Sequence, residues 1–226
     1  MNLPNKLSIL RIVMVPLFVV AYFLPFSWAP YVALVIFVLA SLTDFLDGYI
    51  ARKYNLVTTL GKLLDPIADK ILVCASLFCL VATNPLRQSL GAYPIMGIAY
   101  GAMSLQSGHV FFAVSGALIL SRELLIDAVR MIAASKGMVV QANVYGKIKT
   151  VCLNVSIPVL IVCECFAREI DFRSLVSLYD QSLQILTDVY TIISWVGAIL
   201  FAVSILMTIA SGIVYILQNR KVFLDK

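Results

Sequence analysis

The 226-residue sequence is poor in the residues that soluble enzymes use for polar chemistry. It contains one histidine, His109, and only 13% of its residues are charged, against about 25% in soluble globular domains. Because His109 lies outside the acidic region at residues 44–69, histidine-based catalysis has little support. Hydrophobic residues make up 62% of the chain and the mean hydropathy is +0.98. The composition therefore predicts an integral membrane protein.

The five cysteines give no sign of a metal site. Cys163 and Cys165 are too close together for a zinc knuckle, and no second pair accompanies them. All five lie in apolar runs, so we interpret them as small core residues. They are Cys74, Cys79, Cys152, Cys163 and Cys165.

Six apolar runs, counted with their interfacial turns, are near the length of about 20 residues that a membrane-spanning helix needs. They cover residues 12–26, 31–42, 67–82, 110–134, 150–165 and 185–217. The sequence thus predicts an all-α integral membrane protein, a single domain over 1–226 with a six-helix core at 12–218 and a tail at 219–226. Pro16 is expected to break the first run. No cleavable signal peptide is evident, and the lack of a transit peptide favours a bacterial source.

Three stretches outside these runs carry their own predictions. Residues 1–11, with Asn5, Ser8 and Arg11, are predicted to form a short interfacial helix. Residues 92–105 are apolar but short and glycine-rich, so we expect an interfacial or re-entrant piece and not a span. Residues 52–62 are predicted to be a polar connector, and residues 167–184 a polar outer loop.

The basic residues predict the orientation. With six spans both termini lie on one side, and 14 of the 17 lysines and arginines fall on that side together with the connector at Arg52. The positive-inside rule places this side in the cytoplasm. The net charge of +5 is then explained by orientation and by contact with anionic headgroups or phosphates, without nucleic acid.

Four aspartates mark the boundary of the second and third runs. Asp44 and Asp47 are three residues apart, and Asp65 and Asp69 are four apart, so each pair shares one face of a helix. Such a carboxylate cluster requires cations, and oxygen ligands favour Mg²⁺ or Mn²⁺ over zinc. Written with its spacing, the motif reads Asp44-x2-Asp47-Gly48-x2-Ala51-Arg52-x8-Gly61-x3-Asp65-x3-Asp69.

This motif resembles the signature of the CDP-alcohol phosphotransferase family at all eight of its positions. Those are membrane enzymes that move a phosphatidyl or similar group from a cytidine diphosphate donor to an alcohol. The resemblance implies that Asp44, Asp47 and Asp65 hold two divalent metal ions and that Asp69 both contacts metal and acts as the base. It also implies a homodimer, and a CDP-diacylglycerol site that includes Asn5, Ser8, Gly48, Ala51, Arg52, Thr58 and Gly61.

Taken singly, several of these residues also fit structural roles. Asp65 before Pro66 can cap a helix whose first residue is proline. Asp44 and Asp47 can lie at the water interface, where a carboxylate costs little. Gly61 can be a loop glycine. The complete motif makes these structural interpretations of the aspartates the weaker ones.

A second cluster, of basic residues, predicts the acceptor. Arginine in an apolar span requires a partner or a ligand, and arginine with lysine is how proteins hold phosphate monoesters. Glu123 or Asp127 is an alternative partner for the arginines, and both lysines can instead extend to the interface. The runs Ser121-Arg-Glu-x4-Ala-x-Arg130 and Gly146-Lys-x-Lys-Thr150 resemble family members whose acceptor is sn-glycerol 3-phosphate. The predicted acceptor site comprises Arg122, Arg130, Lys147 and Lys149.

Two other functions remain open at this stage. Phosphatidylglycerol, giving cardiolipin, or inositol phosphate would also need a basic cluster. A divalent-cation carrier would use the four aspartates as a translocation site, but carriers bind ions near the midplane and often contain repeated halves. The predicted enzyme works at the cytoplasmic face of a bacterial inner membrane.

Overall fold

The computed structural model describes residues 3–53, 59–86, 104–135, 144–176 and 181–218. In these ranges the chain forms helices and no strand, which confirms the all-α prediction. The six helices match the six predicted spans in number and order. They are α1 (Leu3–Phe23), α2 (Ala29–Lys53), α3 (Thr59–Thr83), α4 (Ser104–Ser135), α5 (Val144–Val176) and α6 (Gln181–Gln218).

Among the helices that the structure describes, four are long and apolar enough to cross a membrane, namely α1, α4, α5 and α6. In α2 the apolar part is shorter, Ala29–Asp44. Helix α3 has 25 residues, a length of about 37 Å at 1.5 Å per residue, but charged residues occupy its first half. The chain is a multi-pass membrane protein. Its charged residues in α2 lie near the end of that helix, and those in α3 lie near the start.

The first helix differs from the prediction. Residues 3–11 are not a separate interfacial helix, because α1 runs without interruption through Arg11 and Pro16 to Phe23. Asn5, Ser8 and Arg11 are spaced three apart and all are buried, with Ser8 and Arg11 fully inaccessible. They therefore face the protein interior rather than the membrane surface. Pro16 removes one helical hydrogen bond, which packing against neighbouring helices tolerates in a membrane protein.

Other helix boundaries also differ from the prediction. Helix α5 continues to Val176 and α6 begins at Gln181, so the predicted polar loop at 167–184 is wrong over 167–176 and over 181–184. Ion pairs of 2.8 Å between Glu164 and Arg168, and between Glu169 and Arg173, support these extra turns at i,i+4 spacing. The ends of α2 and α3 extend into the predicted connector from both sides. The predicted re-entrant piece at 92–105 lies outside the described residues, except for its last two, which begin α4.

The apolar core joins all six helices. Phe18 packs on Phe37 with ring centroids 5.9 Å apart, and Phe112 on Phe201 at 5.4 Å. These four rings are at most 1% exposed, so their burial contributes strongly to stability. Leu80 of α3 and Leu160 of α5 complete this cluster.

One end of the bundle is fastened by long-range hydrogen bonds. Arg168 of α5 donates to the carbonyls of Tyr22 at 2.8 Å and Leu24 at 2.9 Å, where α1 has ended. Carbonyls at a helix end lack helical donors, so the guanidinium satisfies them. Tyr190 of α6 donates to the carbonyl of Pro85 at 2.8 Å. The acidic and basic clusters lie towards the other end of the bundle.

Candidate functional site

The acidic cluster is assembled from α1, α2 and α3. Arg11 Nη1 lies 2.6 Å from Asp44 Oδ1, with the Arg11 side chain fully buried and that of Asp44 43% exposed. Asp69 is half-buried and interacts electrostatically with both Asp44 and Arg11. The structure thus brings Asp44 and Asp69, which are 25 positions apart in the motif, to one place. Arg11 was not among the predicted site residues, although its position at the start of an apolar run was a usable signal.

The other motif residues lie on the same two helices. Asp47 is one turn from Asp44 in α2, and Asp65 is one turn from Asp69 in α3. Their side chains are outside the described part of the structure, which includes those of Asp44 and Asp69. Gly48, Ala51 and Arg52 lie in the last turns of α2 and Gly61 in the first turn of α3, and Thr58 falls outside the described residues.

The donor set is chemically suited to a hard divalent cation. Carboxylate oxygens are the ligands that Mg²⁺ and Mn²⁺ prefer, and the exposed part of Asp44 can accept an ion while Arg11 holds Oδ1. Among the described side chains no group of three or more acidic, histidine or cysteine residues is placed to bind a metal. A complete site therefore requires Asp47 and Asp65, as the motif predicts.

Asn5 and Ser8 share a face of α1 with Arg11. Asn5 is 5% exposed and Ser8 fully buried. The three residues lie at successive turns of the helix, so Asn5 and Ser8 point to the same side as the guanidinium that contacts Asp44. This arrangement places two small polar side chains beside the acidic cluster.

Glu123 of α4 connects the basic residues. Its Oε1 accepts from Arg122 Nη1 at 3.0 Å and also pairs with Lys149 Nζ of α5. Arg122 Nη2 donates to Ser211 Oγ of α6 at 2.8 Å. The sequence named Glu123 as a partner for arginine, but it did not indicate that Glu123 pairs with Lys149 or that Arg122 contacts Ser211, because these contacts join different helices. Lys149 is 4% exposed, so a carboxylate partner is a physical requirement.

The other two predicted acceptor residues are Arg130 and Lys147. The exposed Arg130 places its guanidinium carbon 5.9 Å from the centroid of the Tyr215 ring on α6, a cation–π distance. Lys147 lies in the first turn of α5, and its side chain is outside the described part. Of the four predicted acceptor residues, Arg122 and Lys149 are therefore joined through Glu123, whereas Arg130 contacts α6.

A cavity of about 290 Å³ between α3, α4 and α5 joins the two clusters. Asp69, Lys70, Glu123 and Lys149 line it, and Asp69 interacts electrostatically with Glu123 and Lys149. Lys70 also forms an ion pair with Asp127 of α4. The cavity thus brings a carboxylate that can accept a proton next to a cation that can bind phosphate.

Comparison with known proteins agrees with this chemistry. The sequence model of a family described as CDP-alcohol phosphatidyltransferase matches residues 1–210. A Bacillus subtilis protein is 37% identical over 161 residues, 66% of this chain and 70% of its own length. A Rickettsia felis protein is 35% identical over 161 residues, 71% and 75% of the two chains. One from Salmonella typhimurium is 34% identical over 154 residues, 66% and 70%. All three are named CDP-diacylglycerol–glycerol-3-phosphate 3-phosphatidyltransferase.

Proposed function

The chain belongs to the CDP-alcohol phosphatidyltransferase family, and we propose that it transfers the phosphatidyl group of CDP-diacylglycerol to sn-glycerol 3-phosphate. The products are phosphatidylglycerophosphate and CMP. The reaction needs a base beside the attacking hydroxyl and cations around the acceptor's phosphate. The observation that carries the proposal is the single cavity lined by Asp69 and by the Glu123–Lys149 pair.

Asp69 accepts the proton of the 1-hydroxyl of glycerol 3-phosphate. The hydroxyl oxygen then forms a bond to the phosphorus that carries diacylglycerol, and the bond from this phosphorus to the oxygen of CMP breaks. Lys149 and Arg122 hold the acceptor's phosphate, with Glu123 keeping the two cations together. Lys147 and Arg130 complete the phosphate site, for which Arg130 has to leave the Tyr215 ring.

The family uses divalent metal ions. In this chain Asp44, Asp47, Asp65 and Asp69 would hold two ions, Mg²⁺ or Mn²⁺, whose charge offsets that of the pyrophosphate oxygens. Arg11 fixes the orientation of the Asp44 carboxylate from the interior side.

The donor nucleotide is bound at the N-terminal half of the motif. Gly48 and Ala51 have little bulk, which lets a base and a ribose approach α2. Arg52 offers a forked donor to phosphate. Asn5 and Ser8, on the Arg11 face of α1, lie beside this region. Thr58 and Gly61 belong to the same proposed site.

The enzyme is further proposed to reside as a homodimer in a bacterial cytoplasmic membrane. The excess of lysine and arginine on the side of the motif supports a cytoplasmic active site, where CDP-linked metabolites and glycerol 3-phosphate are found. The three relatives described above are bacterial.

A transfer assay on detergent-purified protein tests this function. CDP-diacylglycerol and Mg²⁺ are supplied with labelled glycerol 3-phosphate, inositol phosphate or phosphatidylglycerol in separate reactions. We expect lipid product and CMP from glycerol 3-phosphate, lost in Asp69→Asn and retained in the control Asp171→Asn, an exposed aspartate near the opposite end of α5. Product from another acceptor overturns the assignment of the basic cluster. No CMP release with any acceptor overturns the enzyme assignment.

A further inference from the structure

Arg122 is held from two sides by residues of different helices. Its Nη1 donates to Glu123 Oε1 at 3.0 Å, next to it on α4, and its Nη2 donates to Ser211 Oγ at 2.8 Å, on α6. We propose that Ser211 is a positioning residue, which acts through the Arg122 guanidinium to keep the basic cluster where it binds the acceptor's phosphate. The inference rests on the proposed function, in which Arg122 contacts that phosphate, and it adds a residue of the last helix to the site.

The Ser211 hydroxyl is oriented so that it accepts from Arg122. The residue is 1% exposed, and its Oγ donates to the carbonyl oxygen of Thr208 at 3.1 Å. A hydroxyl has a single proton, and this one is used within α6. The lone pairs of the oxygen are therefore left for the guanidinium, and Ser211 is the acceptor in the contact between α6 and α4.

The orientation of the guanidinium depends on both of these hydrogen bonds. The Arg122 side chain is 16% exposed, and its buried Nε has no hydrogen-bond partner among the described residues. The two Nη groups therefore fix the plane of the guanidinium, one through Glu123 and the other through Ser211. With the Ser211 hydroxyl removed, one contact remains, and a single hydrogen bond leaves the guanidinium free to turn about it.

Two glycines make room for the arginine between α6 and the start of α5. A Cβ atom at Gly212 would lie 3.3 Å from Arg122 Cγ, closer than such atoms ordinarily approach, and one at Gly146 would lie 3.7 Å from Arg122 Nη2. The stem of the side chain thus crosses α6 at Gly212, and its end reaches the first turn of α5. That turn also contains Lys147, another of the proposed acceptor residues. Ser211 and Gly212 together therefore direct Arg122 to the place where the basic residues of α4 and α5 meet.

A chain of polar contacts leads from Ser211 to the cavity that contains Asp69. Arg122 connects Ser211 to Glu123. Glu123 in turn pairs with Lys149, which lines the cavity. Because the contacts join α6, α4 and α5 in turn, a shift of the arginine changes the surroundings of the residues that are proposed to hold the acceptor's phosphate.

A purely structural role for Ser211 is the alternative. Ser204, Thr208 and Ser211 are spaced by four and three residues, so they share one face of α6, and each is at most 1% exposed. Small polar residues of this kind let membrane helices approach closely, and their hydroxyls bond to their own helix. Ser204 is a matched comparison, because its hydroxyl likewise donates to the carbonyl three residues earlier, that of Phe201, at 2.7 Å. Ser211 in addition accepts from a charged side chain of another helix.

Steady-state kinetics of serine variants test the positioning role. The phosphate lies at the other end of the acceptor from the hydroxyl that reacts, so weaker binding of it raises KM and leaves kcat unchanged. Ser211→Ala is expected to raise KM for glycerol 3-phosphate about fivefold, with kcat and KM for CDP-diacylglycerol within about twofold of the unaltered protein. Ser211→Thr, which keeps the hydroxyl, and the control Ser204→Ala should leave all three values within about twofold. The same KM for glycerol 3-phosphate in Ser211→Ala and Ser204→Ala overturns the proposal.

A double-mutant cycle tests whether Ser211 acts through Arg122. Arg122→Met removes the guanidinium, so adding Ser211→Ala to it should cause no further rise in KM for glycerol 3-phosphate. If the two substitutions instead multiply each other's effect on KM, Ser211 acts by another route, and the inference is overturned.

Gly212→Ala tests the same role without removing a buried hydroxyl, in case Ser211→Ala does not fold. The added methyl group meets Arg122 Cγ, and moving the stem off its rotamer should raise KM for glycerol 3-phosphate about threefold. Its control is Gly197→Ala, also on α6, where the added carbon meets Leu160 Cδ2 at 3.1 Å. This crowding is similar but lies against an apolar side chain, so it should lower the melting temperature and leave KM unchanged. An unchanged KM in Gly212→Ala, or an equal rise in Gly197→Ala, contradicts the inference.

These outcomes separate the two proposals. If the unaltered protein forms no lipid product from glycerol 3-phosphate, the proposed function fails and the role of Ser211 fails with it. If transfer is normal and Ser211→Ala changes the melting temperature alone, only the positioning role is overturned.

Discussion

Arg11 and Asp44 form an ion pair of unequal burial, with a fully buried guanidinium facing a carboxylate that is 43% exposed. Removing the carboxylate deprives a buried charge of one of its partners, whereas removing the arginine leaves an aspartate that water can reach. We therefore expect Asp44→Ala to lower the free energy of unfolding by about 1–3 kcal/mol and Arg11→Met to lower it less. Thermal unfolding in detergent with EDTA measures both, and the reverse order would contradict this account.

Lys149 is expected to matter for both acceptor binding and stability. A hydrogen bond to a charged group contributes about 1.5–3 kcal/mol, so Lys149→Met should raise KM for glycerol 3-phosphate at least about tenfold. It also leaves Glu123 with one cation fewer. Adding Glu123→Gln should recover thermal stability without restoring KM. Arg173→Met, which breaks an exposed pair, serves as the control, and recovery of KM in the double variant would refute the assigned role.

The Lys70–Asp127 pair fixes α3 against α4 next to Asp69. Both side chains are about one-third exposed, 31% and 35%, so the pair contributes at most about 1 kcal/mol to stability. Lys70→Asp and Asp127→Lys should each reduce kcat through displacement of Asp69, and the two together should restore it. Steady-state kinetics of the four proteins form a double-mutant cycle. Additive losses would show that the two side chains act independently.

Removal of divalent ions should abolish transfer. EDTA is expected to eliminate CMP release, and excess Mg²⁺ or Mn²⁺ to restore it, because four carboxylates cannot remain charged together near a pyrophosphate without cations. Addition of Mn²⁺ should also raise the melting temperature of the unaltered protein, and this rise should be smaller in Asp44→Asn. Full activity after exhaustive chelation is the result that would exclude a metal site.

Arg168 is expected to affect stability and not the intrinsic rate. It pairs at 2.8 Å with Glu164, whose side chain is 2% exposed, so Arg168→Met leaves a buried carboxylate without that partner, at a cost of about 3 kcal/mol. Adding Glu164→Gln should recover part of the loss. Activity per folded molecule, measured below the unfolding transition, should stay unchanged, and a selective loss of kcat would link this end of the bundle to catalysis.

The sequence predicted the features that depend on residues close together in the chain. Asp44 and Asp69 were located by their motif, and each helix by its apolar run, because both signals lie within one or two segments. The boundary at Arg11 was wrong because the polar residues Asn5, Ser8 and Arg11 predicted an interfacial helix before the first span, whereas they are buried within one continuous helix. The predicted end of α5 was wrong because a polar stretch is typical of a loop, whereas here ion pairs at i,i+4 spacing stabilise the charged turns as helix.

Contacts between distant segments had no such signal. The hydrogen bond from Arg122 to Ser211 joins residues 89 positions apart, and that from Lys149 to Glu123 joins two helices. Neither spacing has a periodicity that a single sequence reveals. The same holds for the cavity, whose shape depends on how three helices pack.

The hydrogen bonds from Arg168 to the end of α1 also set an order of events during synthesis. The carbonyl of Leu24 accepts a hydrogen bond from Arg168, which is synthesised 144 residues later. At about 5–20 residues per second this interval is on the order of 10 s. Throughout it, the carbonyls of Tyr22 and Leu24 lack the donor that Arg168 later supplies. The end of α1 therefore gains these hydrogen bonds only after the fifth helix has been made, and a nascent chain stalled before Arg168 would lack them.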